Sequence, residues 1–343
     1  MDWKNQLTKT PYLVLFIVLI TIGVGTASAL ITITLAGNVN ITGDADIDGN
    51  LNVDGAITGV ETLEGLNCSI DQIAKFDGSN WVCKKLIVKN NPITVLDSTD
   101  VVGQYTSIAI GIDNNPVISF YDATNGDLKL VQCNNISCSV IGLTTTLDSA
   151  DEVGRYTSIA IGADNNPVIS YYDITNSGLK VVHCGNITCS SENTVTTLDS
   201  SDDFGRYTSI AIGSDNLPVI SYRDDSNAAF KVLHCGNITC SSGNTKTTVD
   251  SDNVGTYTSI AIGADNNPVI SYFDFINRDL KVLHCGNITC SSGNTKTTLD
   301  SADGVGRYTS IAIGADNNPV ISYYDLTNKD LKLVVDGVVL IFE

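Results

Sequence analysis

From residue 93 onward, short apolar runs alternate with clusters of Gly, Asn, Asp and Pro. One phrase, Y-T-S-I-A-I-G, occurs five times at steps of 51, 51, 50 and 51 residues. A unit of this length that recurs in register is a supersecondary module that buries its core against its own copies. The phrase begins at Tyr105, Tyr156, Tyr207, Tyr257 and Tyr308.

Each repeat contains four apolar runs separated by turn residues. Runs of five to seven residues, rich in Ile, Val, Thr and Tyr, predict strands, and no helical periodicity is present. Four strands in a unit of about fifty residues are typical of a β-propeller blade. We therefore predict an all-β, five-bladed propeller with four-stranded blades over residues 86–343. A closed ring is expected, and an open solenoid of the same units is the alternative.

The sequence offers two segments that could complete the last blade. The fourth-strand motif T-T-x-L-D-S follows the third strand in four copies, and a partial match at Ile93–Ser98 precedes the first copy. The C-terminal residues 331–342 instead predict a hairpin around Asp336-Gly337, since Asp-Gly favours a two-residue turn. Both residues 93–98 and residues 338–343 stay candidates for the closing strand.

The N-terminal segment predicts export. Tyr12 to Gly37 runs 26 positions without a charge, and a bilayer span needs about 20 apolar residues. Lysines precede this run and acidic residues follow it, which predicts a cytoplasmic tail at 1–11, a transmembrane signal anchor at 12–36 and an extracellular propeller. A cleaved signal peptide ending at Ala27-Ser28-Ala29 is the alternative, and it would give a secreted protein.

Two short segments precede the propeller. Residues 37–60 carry a glycine-led, six-residue repeat, which predicts a β stalk that coils or pairs with other chains as a homo-oligomer. A flexible linker is the alternative. Residues 61–85 form a separate module closed by Cys68 and Cys83. Its Phe76, Gly78, Trp81 and Cys83 resemble a W-D-G-S-x-W-x-C segment of exported stalk and fibre proteins, which implies a surface stalk.

The charge excludes common binding partners. Lys and Arg total 19 against 38 Asp and Glu, so the net charge is −19. Such a surface repels nucleic acid and anionic lipid, and its even spread over the repeats favours solubility.

The ten cysteines fall into adjacent pairs. Four pairs bracket the turn between the third and fourth strands, where a hairpin brings both ends within disulfide distance. Zinc is the rival because His183, His234 and His284 each precede a cysteine, but neighbouring strand residues point to opposite faces. The predicted disulfides are Cys68–Cys83, Cys133–Cys138, Cys184–Cys189, Cys235–Cys240 and Cys285–Cys290.

Asparagines in N-x-S/T sequence occur in the same turns, and we predict glycosylation on exposed loops. The candidates are Asn40, Asn67, Asn135, Asn186, Asn237 and Asn287.

Function is expected in the loops that flank the Y-T-S-I-A-I-G strand rather than in the strand itself. The loops joining strand four to strand one and strand two to strand three share one face of a propeller, which is where propellers bind ligands. The candidate ligand-binding residues are Asp151, Arg155, Tyr156, Asp173, Asn176, Arg206, Tyr207, Arg307, Tyr308 and Asp325.

Two resemblances concern this face. Ser149, Asp151, Gly154 and Tyr156 resemble the Asp-box of sialidase-type propellers, with one inserted residue and Tyr for Trp. The five-fold repeat also resembles tachylectin-type propeller lectins, which implies sugar binding once per blade.

The chain is predicted not to be an enzyme. A sialidase needs three arginines, a Tyr/Glu nucleophile pair and an acid from different blades, and Arg155, Arg206 and Arg307 lie in identical turns. We therefore predict a membrane-anchored binding or adhesion module for glycans or surface polymers. A structural envelope protein without a ligand is the alternative, and a sialidase-like glycoside hydrolase is less favoured. No cofactor is expected, although the turn at Asp164-Asn165-Asn166 could hold calcium.

Overall fold

The computed structural model describes residues 72–76, 81–85, 93–200, 204–251, 253–302 and 304–336. The chain divides into two compact units, residues 1–89 and 90–343. In the first unit the described residues form an antiparallel hairpin of β1 (Gln72–Phe76) and β2 (Trp81–Lys85). No helix in these described ranges is long and apolar enough to cross a bilayer. The predicted anchor at 12–36, the stalk at 37–60, Cys68, Asn40 and Asn67 lie outside the described residues.

The second unit consists of five antiparallel sheets that follow one another along the chain. Each sheet is a meander in which consecutive strands pair, as expected for propeller blades. The strands are, blade by blade, β3 (Val102–Ile110), β4 (Pro116–Asp122), β5 (Asp127–Cys133) and β6 (Ile141–Asp148); β7 (Val153–Ile161), β8 (Pro167–Asp173), β9 (Gly178–His183) and β10 (Thr194–Asp199); β11 (Phe204–Ile212), β12 (Pro218–Asp224), β13 (Ala229–His234) and β14 (Thr245–Asp250); β15 (Val254–Ile262), β16 (Pro268–Asp274), β17 (Asp279–His284) and β18 (Thr295–Asp300); β19 (Val305–Ile313), β20 (Pro319–Asp325) and β21 (Asp330–Val335).

The predicted all-β propeller architecture is confirmed at the level of its blades. Four sheets have four strands each, and the fifth has three described strands. Ile93–Ser98, one of the two candidate closing segments, forms no strand, and residues 338–343 lie outside the described residues. The fourth strand of the last blade is therefore not filled in the described part of the chain.

Turn chemistry sets the ends of the first and second strands. In the second blade Gly162 donates its N–H to the carbonyl of Asn166 at 2.8 Å, and Asn165 adopts a left-handed φ of 68°. The Asp164 carboxylate accepts the N–H of Asn166 at 3.2 Å and its side-chain amide at 2.9 Å. Asn and Asp tolerate this conformation and satisfy the turn internally, which is why the motif recurs in each copy.

The hydrophobic core lies between blades rather than within them. Strands β8, β12 and β16 are buried at every position, because each is covered on both faces by a neighbouring blade. The largest fully buried side chains, Tyr171, Tyr222 and Tyr272, occupy the same place in three consecutive blades. Each of these tyrosines packs in a cluster that combines residues of two adjacent sheets.

The two ends of the array differ from its interior. Ile159 is 6% exposed because it packs on the first blade, whereas the equivalent Ile108 in the first blade is 61% exposed. On the opposite side, Leu179 is fully buried and the equivalent Leu331 in the fifth blade is 84% exposed. The packing that joins neighbouring blades is thus not made between the fifth and the first blades in the described residues. Within these described residues the expected closure of the ring is therefore not made.

Disulfides join the predicted cysteines within the described blades. The four pairs have Cα–Cα distances of 4.8–5.0 Å, so each closes the turn between a third and a fourth strand. The thiols that zinc would require are therefore oxidised in all four hairpins. The bonded pairs are Cys133–Cys138, Cys184–Cys189, Cys235–Cys240 and Cys285–Cys290.

Candidate functional site

The tyrosine that opens each repeat lies in a bulge of its innermost strand. In the second blade Arg155 pairs with Tyr172 and Ser158 pairs with Ser170, so Tyr156 and Thr157 stand opposite the single residue Tyr171. Tyr156 has a φ of 55°, in a region that bulky residues rarely adopt. Its four equivalents have φ values of 52–54°. This backbone conformation costs energy and yet recurs five times. It indicates that the bulge serves to orient the tyrosine side chain.

The five tyrosines meet on the axis of the propeller. Consecutive rings lie 4.7, 4.6, 4.8 and 4.4 Å apart between centroids, from Tyr105 to Tyr308. Together with the five threonines that follow them, they line a cavity of about 210 Å³. No comparable contact between described residues joins Tyr308 to Tyr105. We call this set of five tyrosines the axial ring.

Burial raises the pKa of the three interior members of the axial ring. Removal from water raises the pKa of Tyr156, of Tyr207 and of Tyr257 above the ordinary value, and the neighbouring phenols contribute further. At neutral pH these side chains therefore present aromatic faces and uncharged hydroxyls. A ligand with both apolar and hydroxylated faces would match them.

A second layer of side chains surrounds the axial ring. Tyr121, Tyr172, Phe273 and Tyr324 each lie 6.2–6.3 Å from the axial tyrosine of their own blade. In the third blade Arg223 takes this place. The guanidinium groups of Arg155, Arg206 and Arg307 lie 5.4–5.5 Å from the centroids of Tyr121, Tyr172 and Phe273, each on the preceding blade. These cation–π contacts place three positive charges around the axis.

One rim carboxylate stands between the first two blades. The Tyr121 hydroxyl donates to Glu152 Oε1 at 2.9 Å, and Arg155 Nη2 donates to the same oxygen at 2.7 Å. Burial, and then the bond to Glu152, raise the pKa of Tyr121, so this phenol stays protonated and remains a donor. The Glu152 side chain is 42% exposed. The other copies hold Val, Asp, Asn and Gly at this position, so the Glu occurs once.

A second rim carboxylate stands in the third blade. Asp225 accepts a bond from the Arg223 guanidinium, and Arg206 Nε lies 3.1 Å from Asp225 Oδ2. The Asp225 side chain is 24% exposed. The equivalent residues are Ala123, Ile174, Phe275 and Leu326, so this acid also occurs once. Glu152 and Asp225 therefore break the five-fold repetition beside the axial ring.

The structure divides the predicted ligand-binding residues into two groups. Arg155, Tyr156, Arg206, Tyr207, Arg307 and Tyr308 come together around the axis. Asp173 is 2% exposed and accepts the N–H and side-chain amide of Asn176 at 2.9 and 3.0 Å. Asp325 is fully buried and bonds Asn328 and Lys332 in the same way. These carboxylates are used within their own turns.

Asp151 stands apart from both groups. It is exposed on the loop before β7 and has a φ of 66°. It contributes to the rim of the repeat face rather than to the axial cavity.

The predicted sequon turns lie at the disulfide hairpins, and their asparagines are partly buried. In the second blade Asn186 Oδ1 accepts the Thr188 hydroxyl at 2.8 Å, while its amide donates to Ser191 at 2.9 Å. A Cβ added at Gly111 of the first blade would lie 2.8 Å from Ile187 Cδ1, so this turn packs closely on the neighbouring blade.

The carboxylates of the Asp-rich turns are hydrogen-bonded to neighbouring protein groups. Asp164, considered as a calcium ligand, accepts bonds from Asn166 and lies 2.9 Å from His183 Nε2. In the described part of the chain, no three His, Cys, Asp or Glu side chains are grouped as a metal site would require.

The sequence interpretation missed part of the site. It assigned the Y-T-S-I-A-I-G strand to the core, yet Tyr105, Tyr257 and all five threonines line the axial cavity. It also passed over Glu152 and Asp225. The two acids could have been found because they differ from the residues at the same position in other copies. The bulge that orients the tyrosines could not, because nothing in the sequence Tyr-Thr predicts a bulge.

No protein family model matches the chain, and no curated protein matches it. Solved structures overlay on parts of it. An exo-β-1,3-galactanase from Phanerochaete chrysosporium, solved with galactose, has 11% identity and a TM-score of 0.45 over 64% of this chain and 56% of its own. A β-1,3-galactosidase of family 43, with galactodeoxynojirimycin, has 7% identity and a TM-score of 0.46 over 68% and 90%. An α-L-arabinofuranosidase from Lactobacillus brevis has 8% identity and a TM-score of 0.44 over 68% and 90%.

These neighbours overturn two predictions. The chain was expected to be a binding or adhesion module and not an enzyme, but the neighbours named above are glycoside-acting enzymes. They do not include the sialidase-type or tachylectin-type propellers whose resemblance was noted in the sequence. This chain spans just over half of the galactanase, 56% of its length. Overlap at a TM-score below 0.5 defines neither a reaction nor a substrate for this chain. Evidence for either must come from its own residues.

Proposed function

We propose that the chain is a glycoside hydrolase that holds one saccharide unit in the axial cavity. The observation that carries this proposal is the axial ring together with two acids, Glu152 and Asp225, at positions that differ between the blades. Asp225 is the one acid at its position, and Glu152 has an acidic equivalent in Asp203. Glycoside hydrolysis uses a pair of carboxyl groups on either side of the scissile bond. Five identical turns cannot supply such a pair with distinct roles, whereas acids at two positions that vary between the copies can.

The cavity supports a small, hydroxylated ligand. Its volume of about 210 Å³ lies below the roughly 300–1,000 Å³ of most ligand pockets, which suits a single sugar ring. Aromatic faces cover the C–H surfaces of a sugar, and phenol and threonine hydroxyls exchange hydrogen bonds with its hydroxyl groups.

The arginines hold the two acids in place. Arg155 contacts Glu152, and both Arg206 and Arg223 contact Asp225. These contacts fix the orientation of the two carboxyl groups, of which one must protonate the leaving group and the other act as base or nucleophile. The second-layer tyrosines fix the arginines in place through their rings.

Hydrolysis assays on the full chain test this proposal. Chromogenic β-galactosides, chromogenic α-L-arabinofuranosides and β-1,3-galactan are the first substrates, because the neighbours named above act on such bonds. For an active substrate, Glu152→Gln or Asp225→Asn is expected to lower kcat/KM by about 100-fold or more. Glu192→Gln, an exposed acid at a disulfide hairpin, is the matched control and should leave activity unchanged.

A second set of variants separates binding from chemistry. Tyr207→Ala should raise KM, because it removes one wall of the cavity. Full activity in both rim-acid variants would exclude Glu152 and Asp225 as the reacting pair. Absence of hydrolysis across a broad glycoside panel would reject the proposed reaction.

A further inference from the structure

The same interface joins each pair of neighbouring blades. Thr157 Oγ1 donates to Ser119 Oγ at 2.9 Å, and the Ile159 N–H donates to Ser107 Oγ at 3.1 Å. The equivalent Thr–Ser and Ile–Ser bonds recur at 2.7–2.9 Å and 3.1–3.2 Å in the other three interfaces. We call the Thr/Ile side of a blade its leading face and the Ser/Leu side its trailing face. Four leading faces and four trailing faces are matched in this way.

One leading face and one trailing face remain unmatched. Thr106 and Ile108 of the first blade are exposed, whereas their equivalents in the other four blades are 6–9% exposed. Leu331 and Leu333 of the fifth blade are 84% and 65% exposed, whereas their equivalents are fully buried. The free faces of the two end blades are therefore the two halves of the interface that already occurs four times.

In the described residues the fifth blade also has no fourth strand, and the segment before the first blade resembles a fourth strand. Among the described residues no strand pairs with the outer side of β21, and Ile93–Asp97 partly matches the fourth-strand motif. Hydrogen bonds from Thr99, together with the nearby Lys129 ammonium, hold the pKa of Asp97 below its ordinary value. Lys180 likewise contacts Asp148, the acid that ends the fourth strand of the blade before it. Asp97 thus lies near Lys129 of the first blade, as Asp148 lies near Lys180 of the second.

We propose that the ring closes within one molecule, with Ile93–Asp97 pairing antiparallel to β21 as the fourth strand of the fifth blade. The other blades define the register. Leu128 pairs with Asp148 and Leu130 with Thr145, so Leu331 pairs with Asp97 and Leu333 with Thr94. Ile93 is 97% exposed and Val95 is 68% exposed in the open arrangement. Closure covers apolar side chains of both the fifth and the first blade, and this burial stabilises the closed ring.

The geometry at the axis favours the chain's own first blade over a second copy. Tyr105 and Tyr308 line the same cavity, so both end blades already reach one axis. A second copy would have to enter between them, and head-to-tail contacts between copies extend into open assemblies. A net charge of −19 on each chain opposes such growth. Closure also brings Tyr308 beside Tyr105 and completes the axial ring.

Engineered cysteines test the register in the full chain. Residues directly opposite on antiparallel strands have Cα atoms about 4.5–5.5 Å apart, within disulfide reach. Thr94→Cys with Leu333→Cys is therefore expected to cross-link within one molecule under mild oxidation. Peptide mapping identifies the bond, and the mass under non-reducing conditions gives the number of chains.

Two variants serve as matched controls. Leu130→Cys with Thr145→Cys joins the equivalent positions in the first blade and should cross-link to a similar extent. Thr94→Cys with Lys332→Cys is one residue out of register, which places the thiols on opposite faces, and should cross-link at least about tenfold less. Covalent dimers at 94–333 would assign the interface to a second copy. Absence of any 94–333 bond, while 130–145 forms, would overturn closure.

Hydrogen exchange on the unmodified chain provides a measurement that needs no folded variant. The outward amides of β21 are unpaired in the open arrangement and should exchange rapidly there, whereas closure protects them as strongly as those of β17. Rapid exchange confined to β21 would reject closure. Neither experiment uses a substrate, so the outcome is independent of the proposed hydrolysis.

Discussion

The interior blades and the two end faces carry nearly the same sequence in different surroundings. Ile159 and Ile108 occupy the same position of the same phrase, yet they are 6% and 61% exposed. The difference arises only because one has a preceding blade and the other does not. In a repeat array the stability of a residue therefore depends on its neighbours as much as on its own unit.

Substitutions in the two regions should differ in a defined way. An interior substitution weakens contacts between neighbouring blades, and these contacts cannot break unless the blades around them unfold. An end-face substitution can cost no more than the free energy of closing the ring, because the end interface can open while both blades stay folded. The loss of stability from an interior substitution therefore has no such upper limit. Matched pairs of variants measure this difference between the two regions.

The largest expected effect is at the bulge glycine. Gly154 has a φ of 100°, and an added Cβ would lie 2.8 Å from Leu128 Cα of the preceding blade. Gly154→Ala should lower the free energy of unfolding by about 3–5 kcal/mol, through backbone strain and overpacking. Gly103→Ala, whose added Cβ meets no atom within 4 Å, should cost about 1 kcal/mol. Equal costs in urea unfolding would contradict the comparison.

A buried leucine gives the next effect. Leu179 is fully buried between the second and third blades, and Leu179→Ala should cost about 2–4 kcal/mol, the usual range for such a cavity. Thermal and urea unfolding both measure it. A loss below about 1 kcal/mol would show that the interface repacks around the cavity.

An interblade carboxylate should make stability depend on pH. Burial raises the pKa of Asp148, but hydrogen bonds from Lys180 and Tyr171 outweigh it and hold the net pKa below the ordinary value. A lowered pKa in the folded state stabilises the protein above the unfolded value, about pH 4, and this stabilisation is lost as the pH falls through the folded value.

Asp148→Asn tests this sign. It should cost about 1–2 kcal/mol at pH 7 and reduce the loss of stability between pH 4 and pH 2. Urea unfolding over that range measures both effects. An unchanged pH dependence would mean that Asp148 does not carry it.

The smallest effect is expected on the free trailing face. Leu331→Ala should cost about 1 kcal/mol, since closure covers Leu331 but the cost is limited by the free energy of closure. A cost as large as that of Leu179→Ala would mean that the end interface is as strong as an interior one. No measurable cost would indicate that this face stays open.

Much of the fold followed from local patterns. Strand positions, turn residues and the four hairpin disulfides depend on residues close in sequence, so the repeat revealed them directly. Whether the last blade meets the first depends on the angle between blades. That angle arises from packing such as the contact of Ile187 with Gly111, which no local pattern encodes.

The site was predictable only in part. Arg155 and Tyr156 were selected because they flank a loop, and they do reach the axis. Asp173 and Asn176 were selected on the same ground but bond to each other in an Asx turn. The exclusion of catalysis considered only residues repeated in each blade, so it overlooked Glu152 and Asp225. In a duplicated chain, the positions that differ between copies deserve the closer inspection.

The direction of the interblade bonds has a consequence for biosynthesis. Thr157 and Ile159 of a later blade donate to Ser119 and Ser107 of an earlier one. As the nascent chain leaves the ribosome, each finished blade therefore presents the serine hydroxyls that bond the next blade to emerge. The array can grow in the order of translation without waiting for its C-terminal end, and only the final docking step requires the whole chain.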